Sequence, residues 1–536
     1  MGHSPDGREL MDAPAPDLAV AAEPVPHAVP RRRDARAFVV DTGVVALTQL
    51  LLKLRGVVTL PLIARMLGTA EYGIWAQVLA FVTLASAVCN GNLHLPLIRF
   101  IAEDRRDQAR IYTTLLLATV ALGAAGSAAV FLFRGLWSDL IFPGGEMLPY
   151  LAVVALMILF GNLRSLNVNL YRATGRLKVR SVMELAAAFG ELAGICLLLA
   201  RGHSLLRVFS FMVAWQGTVA LLQTAHGRSI AGWARPDWKI LRRALKYALP
   251  LLPVALSAWA LDRSDRLVIG AYLGPRAVGI YSANYALASL VLLFQAPLQM
   301  TLFPKVAEFW GTDPERARRY ISASNRFFLL LAIPFTVGVG VLARPLFVHL
   351  GNEEIARASG WTTFYVATGV MLWGLGVMQS QAFHGAKRTG QLGGATLIAA
   401  ALNVALTWVL VPRFGIAAAA LSTLVAFAAL CVLLGLRGRA LLPGDLVGGF
   451  VLKAYAAALL MGAYLHWLSP TGKAAILGAA ASGAVLYAVV VAALRPLAPP
   501  EAAWLGAALG AARRAAGRAL GGARRGSPDA MATRSA

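Results

Sequence analysis

The 536-residue sequence predicts an all-α polytopic membrane protein. About fourteen transmembrane helices are expected, as two pseudo-symmetric six-helix lobes plus a C-terminal helix pair. Three observations predict this. The chain is 58% hydrophobic and only 14% charged, with a mean hydropathy of +0.65; a soluble protein carries about a quarter charged residues. Apolar runs of about 20 residues, enough to cross a bilayer core as a helix, recur along the whole chain. Finally, the phrase Leu67-Gly68-x4-Gly73-Ile74-Trp75 returns 206 positions later as Leu273-Gly274-x4-Gly279-Ile280-Tyr281. At the same offset Ile63 falls on Ile269, Ala80 on Ala286 and Leu84 on Leu290. A repeat of that length inside a membrane chain points to two homologous helical lobes.

Residues 1–36 are rich in Pro, Ala and Asp and end in Arg31-Arg32-Arg33. No apolar core with a small-residue cleavage site follows, so a basic cytoplasmic tail is expected rather than a cleaved signal peptide. Spans are expected near 38–63, 73–95, 111–133, 147–169, 179–200 and 204–225, forming an N-lobe over 37–225. A basic linker at 226–246 carries Trp233 and Trp238 and suits a headgroup layer. A C-lobe over 247–436 follows, with spans near 247–270, 278–303, 322–343, 360–382, 391–411 and 415–436. The final pair, near 446–468 and 474–494, occupies 437–495. An Ala/Arg-rich cytoplasmic tail fills 496–536, either solvated or lying as an interfacial helix on anionic lipid.

Charge placement agrees with this count. Alternate loops hold clusters such as Arg105, Arg106 and Arg110, then Arg172, Arg176, Lys178 and Arg180, then Arg316, Arg318 and Arg319. The opposite loops hold about half as many, so the basic loops and both termini are assigned to the cytoplasm. The same placement explains the net charge of +24 without nucleic-acid binding. Cys89, Cys196 and Cys431 lie in apolar segments with no paired spacing, and no metal, phosphate-loop or redox motif occurs. No cofactor is expected.

Two motifs carry a family resemblance. Asp265-Arg266-Leu267-Val268-Ile269-Gly270 runs into Leu273-Gly274 and then Val278-Gly279-Ile280-Tyr281-Ser282-Ala283. Gly385-Ala386-Lys387-Arg388 is followed by Asn403 and then Val411-Pro412-Arg413-Phe414-Gly415-Ile416. Over residues 38–494 the chain resembles bacterial polysaccharide flippases of the multidrug/oligosaccharidyl-lipid/polysaccharide exporter superfamily. The resemblance implies alternating access and a substrate of undecaprenyl-pyrophosphate-linked oligosaccharide, moved to the outer leaflet of the bacterial cytoplasmic membrane for surface polysaccharide synthesis. Membrane lipids, a glycan polymerase and glycosyltransferases are the implied partners. A peptidoglycan-precursor flippase and a cation-coupled multidrug exporter are alternatives within the superfamily. A membrane glycan polymerase or ligase fits less well, because its catalytic residues need a sizeable external loop and the longest here is about 134–147. An enzyme is therefore not expected.

Charged side chains inside spans are expensive and mark cavities or buried partners. Span one holds Lys53 and Arg55; span seven holds Asp262, Arg263, Asp265 and Arg266. At 1.5 Å per residue Lys53 lies about 22 Å into its helix, and the repeat offset puts Arg55 level with Leu261. Lys53, Arg55, Arg263 and Arg266 are thus candidate ligands for a pyrophosphate or acidic sugars in a central cationic cavity, with Asp262 and Asp265 supporting them. The alternative is pairing of Asp262 with Arg266 along the helix, with Lys53 and Arg55 reaching to the interface. Glu184 and Glu191, seven apart on span five, are candidates for ion coupling; Arg180, four before Glu184, offers a plain ion pair instead. Gln295 and Gln299 share one face of span eight, suited to sugar hydroxyls or to interhelical contacts.

Overall fold

Apolar stretches that must satisfy their own backbone polar groups in lipid form helices, and every regular element among the described residues is helical. The computed structural model describes residues 62–141, 148–442 and 449–494, with Leu47, Thr48, Leu51, Leu52, Arg55 and Thr59 of the first helix, α1. Both expected tails and Lys53 lie outside the described residues. The first half of the chain continues as α2 (Thr69–Asn90), α3 (His94–Glu103), α4 (Gln108–Leu132), α5 (Arg134–Ile141), α6 (Leu148–Ala173), α7 (Leu177–Ala200) and α8 (Leu205–Ala231). Then come α9 (Trp238–Ala248), α10 (Leu252–Ala288), α11 (Leu292–Phe309), α12 (Pro314–Leu350), α13 (Glu353–Arg357), α14 (Trp361–Gly385), α15 (Thr389–Phe414) and α16 (Ile416–Arg437). The last two are α17 (Gly449–Leu468) and α18 (Lys473–Leu494).

Twelve helical segments among the described residues are long and apolar enough to cross a membrane. One of them, Trp238–Phe309, runs for 72 residues, about 108 Å at 1.5 Å per residue, far beyond one bilayer core. Its break is Gly274, with φ 80° and ψ 174° inside α10. The predicted spans seven and eight therefore meet at a kink rather than through a loop. Gly68, just before α2, has the matching φ 99° and ψ 173°. Both phrases need glycine here because a Cβ disfavours positive φ.

Two further boundaries differ from expectation. The predicted second span ends early, because Asn90 runs into a left-handed Gly91 (φ 52°) and α3 restarts after it. Part of the expected 134–147 loop is helical, as α5. The cap of α12 explains its length: Asp313 accepts from the Arg316 backbone N–H at 3.0 Å, with Pro314 in the first turn.

Packing divides the helices into two groups. Helices α2 to α8 pack on one another, and α10 to α16 pack on one another; α2 against α10 is the main contact between the groups. Helices α17 and α18 lean on α12, and only 33% and 22% of their most apolar windows are buried. Leu452, Trp467 and Leu477 stand exposed there, an apolar surface that suits lipid contact.

The linker helix α9 turns its apolar side to the protein. Ala244 is buried, and Ile240 and Leu245 pack against a cluster built from Leu97, Tyr112, Leu115 and Leu166. Trp233 and Trp238 remain exposed. Arg243 of α9 bonds Glu103 Oε2 at 2.6 Å, while Arg99 bonds Oε1 at 2.7 Å. The Arg99 hydrogen bond, then the charge of Arg243, hold the Glu103 carboxyl below the usual carboxylate range.

Candidate functional site

The two copies of the repeated phrase touch each other. A Cβ on Gly73 would overlap the carbonyl oxygen of Pro275, and a Cβ on Gly279 would overlap the carbonyl oxygen of Thr69. Under the 206-residue offset Gly73 corresponds to Gly279 and Thr69 to Pro275, so the contact is reciprocal, as at a two-fold interface. Side-chain bonds reinforce it. Arg65 donates to the carbonyls of Gly351 (3.1 Å) and Val348 (3.2 Å), and Asn352 Nδ2 donates to Thr69 Oγ1 at 2.8 Å. Together these close one end of the space between the helix groups.

Immediately beyond that seam lies a cavity of about 350 Å³. Its walls come from α1 (Arg55, Thr59), α2 (Tyr72, Trp75), α7 (Glu191) and α10 (Arg263, Arg266, Tyr285). A second cavity, about 280 Å³, shares Arg263, Arg266 and Tyr285 and extends to Trp373 and Phe427. The three arginines differ in their engagement. Arg55 is 33% exposed and contacts Glu191 at 3.5 Å. Arg263 is 37% exposed, with its Nε 3.0 Å from Asp262 Oδ2. Arg266 is buried; its Nη1 bonds Asp265 Oδ1 at 2.8 Å and the Asp262 backbone carbonyl at 2.5 Å.

Two tyrosines complete the network around Arg266. Tyr281 Oη donates to Asp265 Oδ2, and Tyr285 Oη donates to Asp262 Oδ1 at 3.0 Å. The guanidinium lies 4.2 Å from the Tyr285 ring centroid and 5.8 Å from that of Tyr281. A buried guanidinium needs a carboxylate and well-placed donors and acceptors, and cation–π contact adds to its retention. Arg266 is therefore locked in place, while Arg55 and Arg263 present partly free guanidinium surface to the cavity.

A model of the family described as "Polysaccharide biosynthesis protein" matches residues 62–353, more than half of the chain and all walls of the first cavity except Arg55 and its helix neighbours. The chain belongs to that family. Two relatives from Haloferax volcanii agree with this. A probable low-salt glycan biosynthesis flippase is 22% identical over 372 residues, 69% of this chain and 77% of the relative. A probable flippase is 23% identical over 427 residues, 76% and 85% respectively. Among solved structures, the lipid II flippase in its inward closed conformation superposes with a TM-score of 0.72 at 14% identity, covering 84% of this chain and 98% of that one. An inward-facing multidrug resistance transporter of the MOP superfamily gives 0.57 at 12%, covering 74% and 97%. These structures establish a MOP-superfamily fold, and the proteins compared are flippases and transporters, not enzymes.

The expected residues fall into three sets. Arg55, Arg263 and Arg266 line the cavity together; Asp265 is buried behind Arg266, while Asp262 itself lines the second cavity beside Arg263. The helical pairing of Asp262 with Arg266 takes a different form: Arg266 reaches the Asp262 backbone carbonyl, and the Asp262 carboxylate turns to Arg263 and Tyr285. Glu184 pairs with Arg180 at 3.1 Å, while Glu191 joins the cavity wall. Gln295 and Gln299 bond each other at 3.1 Å along α11 and line neither cavity. Among the described residues no cluster of His, Cys, Asp and Glu has metal-binding geometry.

Four participants carried no assignment from the sequence. Tyr281 and Trp75 are the aromatic positions of the repeated phrase, which marked a duplication; in the fold Trp75 lines the first cavity and Tyr281 holds Asp265. Tyr285 carries no signal beyond lying four residues, one helical turn, after Tyr281. Arg164 of α6 lies inside a predicted span and feels the charges of Glu191, Glu184 and Arg55; the rule that flagged Arg55 applies equally to it.

Proposed function

We propose that this protein is a flippase for a lipid-linked oligosaccharide, carrying an undecaprenyl-pyrophosphate-linked glycan from the inner to the outer leaflet by alternating access. The observation that carries this reading is the cavity between the helix groups, where Arg55 and Arg263 offer exposed guanidinium surface at the closed seam. Guanidinium groups match phosphate oxygens bidentately and stay charged at any physiological pH. Membership of a polysaccharide biosynthesis family and similarity to archaeal glycan flippases support a glycan cargo.

Fourteen crossings follow if the 72-residue segment is cut at Gly274 and α1 is added to the other eleven. The group α1–α8 is then the N-lobe, α10–α16 the C-lobe and α17–α18 the terminal pair. The basic loops face the cytoplasm, which puts the seam on the outer side and makes this an inward-oriented state. Alternating access is opening of the glycine seam as the opposite end closes. A cation-coupled exporter fits less well, because both carboxylates of α7 already face arginines.

Cells depleted of the protein should accumulate lipid-linked oligosaccharide on the inner leaflet. Wild type should clear it, and the Arg55→Gln/Arg263→Gln double variant should not at equal protein level. Clearance by that variant would overturn the cavity assignment.

A further inference from the structure

The cavity wall on α7 contains a carboxylate that opposes anion binding. Glu191 is 5% exposed, and its ion-pair partner among the described residues is Arg55 at 3.5 Å. That separation is beyond a hydrogen bond of 2.7–2.9 Å between charged groups, so the two meet as charges without a bidentate lock. A second guanidinium, that of Arg164, is half-buried on the neighbouring helix α6. Its Nε is buried with no hydrogen-bond partner among the described residues, and it lies within the electrostatic reach of Glu191, Glu184 and Arg55. Glu184 is already held by Arg180 at 3.1 Å. Glu191 therefore feels two guanidiniums, Arg55 at the cavity wall and Arg164 on α6.

We propose that Glu191, with Arg164 as its second partner, is a selectivity device that admits a diphosphate and rejects the singly charged headgroups of bulk phospholipids. This rests on the reading of the cavity as an anion site. An incoming anion must draw Arg55 away from Glu191. Left alone, a buried carboxylate is strongly unfavourable; Arg164 relieves that by taking Glu191 over. A diphosphate offers more charge and two oxygen sets for a bidentate Arg55 and for Arg263, and so displaces Glu191. A phosphodiester headgroup with one charge does not. Without such a competitor, a cationic cavity open to a membrane fills with anionic phospholipid, which is in vast excess. Selectivity of this kind works by opposing the wrong ligand as well as attracting the right one.

The test measures binding of undecaprenyl diphosphate and of phosphatidylglycerol to the purified full-length protein in detergent, for wild type, Glu191→Gln, Arg164→Gln and the double variant. Glu191→Gln should raise phosphatidylglycerol affinity about tenfold and narrow the preference for the diphosphate. Arg164→Gln should weaken diphosphate binding about tenfold in the wild-type background and less than about twofold beside Glu191→Gln, the coupling expected of residues that act through each other. If Glu191→Gln does not fold, Glu191→Asp, with its shorter reach to Arg55, should shift the preference in the same direction by less. An unchanged preference on removing the carboxylate, or equal effects of Arg164→Gln in both backgrounds, would overturn the proposal while leaving the anion site intact. Absence of saturable diphosphate binding by wild type would overturn the anion site and this proposal with it.

Discussion

Replacing Gly73 with Ala perturbs the seam at one defined point. The added Cβ would overlap the Pro275 carbonyl oxygen and stand 2.9 Å from the Gly279 backbone nitrogen, where ordinary contact starts at 3.4 Å. Both obstacles are backbone, so no side chain can rotate away, and α2 and α10 must separate. Overpacking of this kind costs about 1–3 kcal/mol. The cost falls only on the state in which the seam is closed. A differential of that size shifts the ratio of open to closed molecules by about 5–150-fold. The assay starts from a chain whose three cysteines are replaced by Ala and which carries a new Cys at Leu79 on the cavity wall. A membrane-impermeant maleimide added from the seam side should label Gly73→Ala faster by that factor. Gly161→Ala is the control, since a Cβ there meets nothing within 4 Å. Equal labelling of Gly73→Ala and the control would refute the seam as the closing element.

Three further outcomes follow. Arg65→Ala removes the bonds to the Gly351 and Val348 carbonyls, worth about 1.5–3 kcal/mol each when the donor is charged and less where exposed; seam-side labelling at Leu79→Cys should rise, and unchanged labelling would show those bonds to be idle. Asp265→Asn leaves Arg266 buried without its carboxylate, a loss of about 3–5 kcal/mol, and should cut folded yield and the thermal midpoint in detergent, whereas Arg263→Gln should keep both and lose transport. Finally, Glu103 has a depressed folded-state pKa, so its links to Arg99 and Arg243 contribute stability above the ordinary carboxylate pKa and lose it as pH falls through the depressed value. Amide exchange along α9 should accelerate only in that acid window, and Glu103→Gln should exchange fast at neutral pH.

Much of the fold was legible because lipid leaves few alternatives to a helix, so apolar length alone located the spans. Charged residues at Arg55, Arg263 and Arg266 stood out for the same reason. The repeat was legible as a duplication, but its mechanical meaning was not. Only the folded backbone brings Gly73 onto Pro275 and Gly279 onto Thr69, across 202 and 210 residues of sequence. Which arginine keeps exposed surface was equally hidden: Arg263 and Arg266 are three apart and both line the cavity, yet one is 37% exposed and the other is buried and locked by Asp265, itself held by Tyr281. Helical phase places both near one face; the partners that distinguish them come from α10 beyond its kink and, through Thr423, from α16. The break at Gly91 was missed because an isolated glycine in a glycine-rich membrane chain carries little signal of its own; the break at Gly274 fell between the expected spans seven and eight, and only its form, a kink rather than a loop, was hidden.

Transport by purified protein tests the central claim most directly. Reconstituted into liposomes with a fluorescent undecaprenyl-diphosphate oligosaccharide, the protein should move the lipid between leaflets, seen as a larger fraction open to a membrane-impermeant quencher. Arg55→Gln/Arg263→Gln should return that fraction to the value of protein-free liposomes. Translocation by the double variant at the wild-type rate, or none by wild type, would contradict the account.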